Sequence, residues 1–124
     1  MNYEISLSAD RTYVLIKVRG KMGREGAWQF IPPAHALGLQ LDVHAYLVDL
    51  TESHNTDSVV QTFEFAYTDT PQHSDFDQRA RVALLTAPDD HSHDFAETVM
   101  RNTGVIIALF RDLDSALRYL KEGG

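Results

Sequence analysis

The chain has 124 residues, one domain's length, and a core of that size needs no metal or disulfide to hold it. It contains no cysteine, which excludes disulfides, thiolate catalysis and cysteine zinc sites and fits a reducing, cytoplasmic setting. Eleven basic against eighteen acidic side chains give a formal charge of -7 with no Lys/Arg cluster, so nucleic acid and anionic membrane surfaces are disfavoured as partners.

The opening Met1-Asn2-Tyr3-Glu4 shows neither the basic nor the apolar segment of a secretory signal, and no apolar run approaches the ~20 residues that span a bilayer. Residues 3–7 and 13–18 alternate apolar and polar side chains and predict a two-stranded hairpin, closed by Gly20 and Gly23. Residues 24–31 predict a short helix with Trp28 and Ile31 on one side. Pro32-Pro33 is expected to break it, since each proline lacks an amide donor and restricts the residue before it. A second turn over 34–39 resumes with Pro33 near its first position, giving a kinked or split helix.

Three apolar runs follow, 45–50, 81–86 and 105–110, each trailed by a polar turn and a helix-period segment. The first of these helices, 57–67, places Val60, Phe63 and Tyr67 in one stripe, and the polar stretch 68–79 reads as a loop. The next begins near Asp94, where Asp94-Phe95-Ala96-Glu97 permits a capping-box-like start and Gly104 a stop. The last, 112–121, buries Leu113, Ala116, Leu117 and Leu120, with Asp112 and Asp114 at its positive end and Lys121 at its negative end. That order predicts an α/β single domain: a five-stranded mixed sheet with an antiparallel first strand, the rest largely parallel, and about four helices.

Four segments carry a family resemblance: Val18-Arg19-Gly20-Lys21, Leu47-Val48-Asp49-Leu50, the stretch from Phe76-Asp77-Gln78-Arg79 into Val82-Ala83-Leu84-Leu85, and Ala108-Leu109-Phe110-Arg111-Asp112-Leu113 running on to Leu120. Through them nearly the whole chain resembles the STAS superfamily, closest to the small bacterial SpoIIAA-like proteins. The better-known branch of that superfamily carries Asp-Ser-Ser-Gly at the start of the helix after the third strand, and its second serine accepts a phosphate that controls protein binding. Here the corresponding segment is Asp57-Ser58-Val59-Val60, with Val59 at the acceptor position. The resemblance therefore implies the fold and a regulatory, protein-binding role, without that phosphorylation switch. Ser58 is the only hydroxyl that could substitute for the acceptor, one residue early.

Ligands of parallel sheets gather beyond the carboxyl ends of the strands. One candidate surface there is Thr51, Glu52, Ser53, His54, Asn55, Thr56, Asp57 and Ser58, a polar loop before a helix N-terminus that can hold an anion or a partner's carboxylate. Capping and solvation account for the same residue types. Asp89-Asp90-His91-Ser92-His93-Asp94 is the one local cluster with metal-ligand chemistry, His91 and His93 pairing with Asp94 or His54 to complete a set, yet it matches no zinc signature and reads as a polar turn and cap. No nucleophile elbow or phosphate-cradling glycine motif is present, so no catalytic residue and no cofactor is assigned. A metal-dependent enzyme ranks last.

Trp28, Phe30, Phe63 and Tyr67, with Phe65, either fill the core or line an apolar pocket or an oligomer contact. Two functions follow. One is a non-catalytic regulatory domain that offers residues 51–58 and the following helix to a protein partner or to a second copy as a homodimer. The other is a carrier or sensor of a small apolar or lipid-like ligand. A closed core beneath an exposed aromatic patch favours the first, and a dry cavity favours the second.

Overall fold

Alternation in the first two segments translates into burial in the second of them: Val14, Ile16 and Val18 are buried while Leu15 and Lys17 between them are only partly covered. In the computed structural model, which describes residues 1–58, 61–62, 64–69 and 76–122, they form β1 (Asn2–Leu7) and β2 (Val14–Met22). The two run antiparallel, with Tyr3 opposite Val18 and Ile5 opposite Ile16. β2 outlasts its expected end by four residues. It slips register between Lys17 and Arg19 and continues through Gly20, whose φ of 91° suits a residue without a Cβ.

The helix expected to be kinked or split is one continuous element. α1 runs from Arg24–Leu41 with both prolines inside it. Interior proline costs about 3 kcal/mol or more through a lost amide bond and a clash. Phe30 and Ile31 before the pair, and Ala34, His35 and Gly38 after it, are all buried, so tertiary packing holds both halves in one helix. The helix ends at Asp42, in the left-handed conformation, where the Val43 amide returns to the Gly38 carbonyl at 2.8 Å.

β3 (Ala45–Asn55) is also longer than its apolar run. Residues 51–55, expected as a loop, are strand, because the extension of β2 past its bulge offers partners from Arg19 opposite Glu52 to Met22 opposite Asn55. Beyond it, Ser58 and Gln61 close a capping box: the Ser58 amide bonds Gln61 Oε1 at 2.8 Å, and the Gln61 amide bonds Ser58 Oγ at 3.1 Å. A π-helical segment, Glu64–Asp69, follows. Its wider turn moves the buried face to Ala66 and leaves Tyr67, expected in the buried stripe, 47% exposed. Val59, Val60 and Phe63 lie outside the described residues, as do 70–75 of the expected loop; its end is not loose, since Phe76, Asp77 and Ala80 are buried.

β4 (Arg81–Thr86), α2 (Asp94–Asn102), β5 (Ile106–Phe110) and α3 (Leu113–Glu122) complete the chain close to their expected bounds. Gly104, at φ 96°, stops α2 as anticipated. The capping box does not form there: the N-cap is His93 without a side-chain bond, and Glu97 is drawn instead to the Leu109 amide and to Arg101. Leu113, expected in the buried stripe of α3, is 47% exposed because it is the first residue of that helix; Ala116 and Leu120 carry the buried face.

The sheet order is β1-β2-β3-β4-β5, antiparallel at the first pair and parallel thereafter. α1, the π-helical segment and α2 pack on one face, over Ile16, Val48, Leu50, Val82, Leu84 and Ile107. α3 alone covers the other face, over Leu47, Ala83 and Leu85.

Candidate functional site: an apolar cavity beneath the long helix

Where α1 and α2 cross the sheet, three of their inward positions are alanine: Ala27, Ala34 and Ala96. Side chains that short leave space between helix and sheet. The result is a cavity of about 110 Å³, walled by Phe30, Ile31, Phe65, Phe76 and Met100 from above and by Val48, Leu50 and Leu84 from below. Apolar cavities on the order of 150 Å³ stay dry and take up benzene or xenon, so this one is of ligand-holding size. Its lining runs from Tyr46, near the start of β3, to Asn55 at its end.

The two ends are polar, each in its own way. At the carboxyl end of the strands, Asp57 Oδ1 accepts the Arg24 amide at 3.0 Å and so caps the first turn of α1 from the next crossover. Gly23 permits that approach, since a Cβ there would lie 2.6 Å from the same oxygen. The Arg24 guanidinium grips Asp69 at 2.6 and 2.7 Å and also bonds Glu64. Trp28 reaches Asp69 through its indole N–H at 3.1 Å and packs on Phe65 at 5.2 Å between ring centroids.

At the other end His35, on the buried stripe of α1, lies between Tyr46, stacked at 4.4 Å, and Phe76 at 4.6 Å. Its Nδ1 accepts the Asp77 amide at 2.8 Å. Asp77 in turn accepts the Tyr46 hydroxyl at 2.8 Å and meets His44 Nδ1 at 2.6 Å. Each titration follows from this packing. Burial lowers His35 to about 4, outweighing the nearby Asp77 charge. Burial pushes the Asp77 carboxyl up, but bonds from His44, the Arg79 amide and Tyr46 together hold it below its ordinary value. His44 is raised, by Asp77 first and Asp42 second, and Tyr46 is raised by burial and by Asp77.

The residues singled out from sequence scatter around this cavity. Phe30, Asn55 and Asp57 line it, and Trp28 reaches it through Phe65. Asn55 also ties β3 to the turn before α2, its amide and side chain bonding Ser92 at 3.0 and 3.1 Å. Thr51 lies elsewhere, bonded to Asp49 and Lys17. Ser53 is buried with its hydroxyl unpartnered, and His54 is exposed, 3.6 Å from Asp90. Ser58 serves the capping box, Tyr67 is exposed, and Phe63 lies outside the described residues.

His91 and His93 part company. His91 is exposed and bonded to Asp94 at 2.9 Å, whereas His93 is buried in the cavity wall. Among the described residues no group of three His, Cys, Asp or Glu side chains is placed to hold a metal ion. Sequence reasoning missed His35, Tyr46, Asp77 and Arg24. The available signal was a histidine within the apolar stripe Ile31, Ala34, His35, Gly38 of a helix.

No family model matches the sequence, and no curated protein does. A solved structure does: the crystal structure of an uncharacterized protein from the DUF3478 family with a SpoIIAA-like fold, from Shewanella loihica PV-4. It aligns with a TM-score of 0.55 over 96% of this chain and 92% of that one, at 23% sequence identity. The fold is SpoIIAA-like. Within it, Asp57 and Ser58 follow β3 as the resemblance implies, and both are absorbed in capping. Among the described residues no helix of this SpoIIAA-like domain is long and apolar enough to cross a membrane.

Proposed function

We propose that this chain is a non-catalytic carrier or sensor of a small, apolar molecule held in the cavity beneath α1. The observation that carries the reading is the cavity itself, about 110 Å³ walled almost wholly by aliphatic and aromatic side chains. A pocket lined by apolar side chains, with a few polar groups at its ends, has the make-up of a small-molecule site. Burying an apolar molecule there contributes about 25 cal/mol per Å² removed from water, with little polar desolvation set against it.

A second reading, a regulatory domain that contacts a protein partner or a second copy, draws support from the exposed Glu52, His54, Ser58 and Tyr67. Native mass spectrometry of the purified protein reads both together. The carrier reading expects a monomer that retains an apolar adduct, or gains one with 2-methyl-1-hexene. A dimer that takes up no apolar probe would favour protein contacts and defeat the carrier.

A further inference from the structure

His35 is committed on three sides. Tyr46 stacks on the ring at 4.4 Å and Phe76 packs against it at a tilt, at 4.6 Å. Nδ1 accepts the Asp77 amide, so in the neutral ring the hydrogen sits on Nε2. The ring also lines the cavity, and with Nδ1 engaged, Nε2–H is the one polar atom of the ring left for a molecule held there. Among the described residues nothing accepts this hydrogen. Nε2 is not sealed off by protein, since among the described residues the side-chain atoms both buried and unpartnered are Ser53 Oγ and His93 Nε2; a donor that meets no protein acceptor gains when a ligand supplies one.

The opposite end of the cavity sets a second condition. There, among the described residues, the Arg24 guanidinium is bonded by Asp69 and Glu64, and Asp57 lies beside it, so the described carboxylates outnumber the described cation. An anionic head group would meet net repulsion at that end and a desolvation cost along the apolar wall.

We infer that the cavity selects a neutral apolar molecule bearing one carbonyl-type oxygen, which accepts a hydrogen bond from His35 Nε2–H. This rests on the carrier reading and specifies its ligand. The low pKa of His35, about 4, keeps the ring a neutral donor at ordinary pH.

The test uses three probes of similar length: 2-hexanone, its isostere 2-methyl-1-hexene, and hexanoate. Binding is followed by the fluorescence of Trp28, the sole tryptophan, which packs on the cavity-lining Phe65. In the intact protein, nitrogen-15 NMR of the histidine rings should show His35 Nε2–H shifted by 2-hexanone and not by the alkene. In His35→Phe the preference for ketone over alkene should fall about five- to tenfold. The NMR arm needs no variant, so misfolding of His35→Phe leaves the inference open to refutation. Binding of both neutral probes without any response of His35 Nε2–H would overturn the inference and leave the carrier reading standing. Hexanoate binding as tightly as 2-hexanone would overturn the neutral ligand class. Failure of every probe to bind would remove the carrier reading itself.

Discussion

The two faces of one sheet have been finished differently. On the α3 face, Leu47, Ala83 and Leu85 meet Ala116 and Leu120, and Tyr13, Leu15, Phe110, Leu117 and Tyr119 close the margin. Arg81 completes that side, its guanidinium 4.1 Å from the Tyr119 ring and bonded to the Tyr119 carbonyl at 2.7 Å. On the opposite face two helices and a π-helical segment cover the sheet, yet alanines at their crossings leave a cavity. More covering elements yield a looser seal. The closed face holds the fold, and the open face has room for a ligand.

The largest effect should come from the polar end of the open face. A Cβ on Gly38 would lie 2.6 Å from the Val43 carbonyl and 2.7 Å from Tyr46 Cζ, and overlap the Tyr46 hydroxyl. Backbone on one side and a fully buried ring on the other leave nowhere to yield, so Gly38→Ala should cost about 3 kcal/mol in a urea unfolding curve. A loss within a few tenths would mean that the packing around Tyr46 is slack.

Acid should expose the same end. The unfolded chain protonates His35 near pH 6.5, whereas the folded protein keeps it neutral until about pH 4. Between those values the unfolded state binds the extra proton, so stability falls as pH drops through the window, by roughly 3 kcal/mol from this group. His35→Phe should flatten that fall; an unchanged slope would place the histidine in water. His44 works in the opposite sense. Its raised pKa contributes stability below pH 6.5 that is lost as pH rises through the folded value.

Much of the architecture was legible in the sequence, and the misses share a cause. Runs at 81–86 and 105–110 announced their strands because each carries apolar side chains toward both helical layers, Val82, Leu84 and Ile107 on one face and Ala83, Leu85 and Phe110 on the other. Residues 51–55 did not, since their pairing depends on a bulge in β2 that only tertiary structure reveals. Pro32 and Pro33 argued locally for a break that burial on both sides overrides. Phe30, Asn55 and Asp57 were legible as candidate contacts, but the cavity is defined by missing volume at Ala27, Ala34 and Ala96. Small residues carry no chemical signal of the space they leave. His35 and Asp77 lie 42 residues apart, and nothing local pairs them.

One substitution tried on both faces sharpens the contrast. Ala116 is fully buried beneath α3, and leucine there should cost about 2 kcal/mol by overpacking. Ala96 lines the cavity from α2, and leucine there has space to enter, so the change should stay within about 1 kcal/mol while uptake of 2-methyl-1-hexene is lost. Equal penalties at both sites would erase the distinction between the faces.

The central claim is that the space beneath α1 is empty of protein and accessible to an apolar guest. Crystals pressurised with xenon test it most directly, because xenon enters dry apolar cavities and scatters strongly. Ordered xenon among Phe30, Ile31, Phe65 and Phe76 is the predicted result. A crystal structure with those side chains collapsed onto Val48 and Leu84, and no xenon between them, would contradict it.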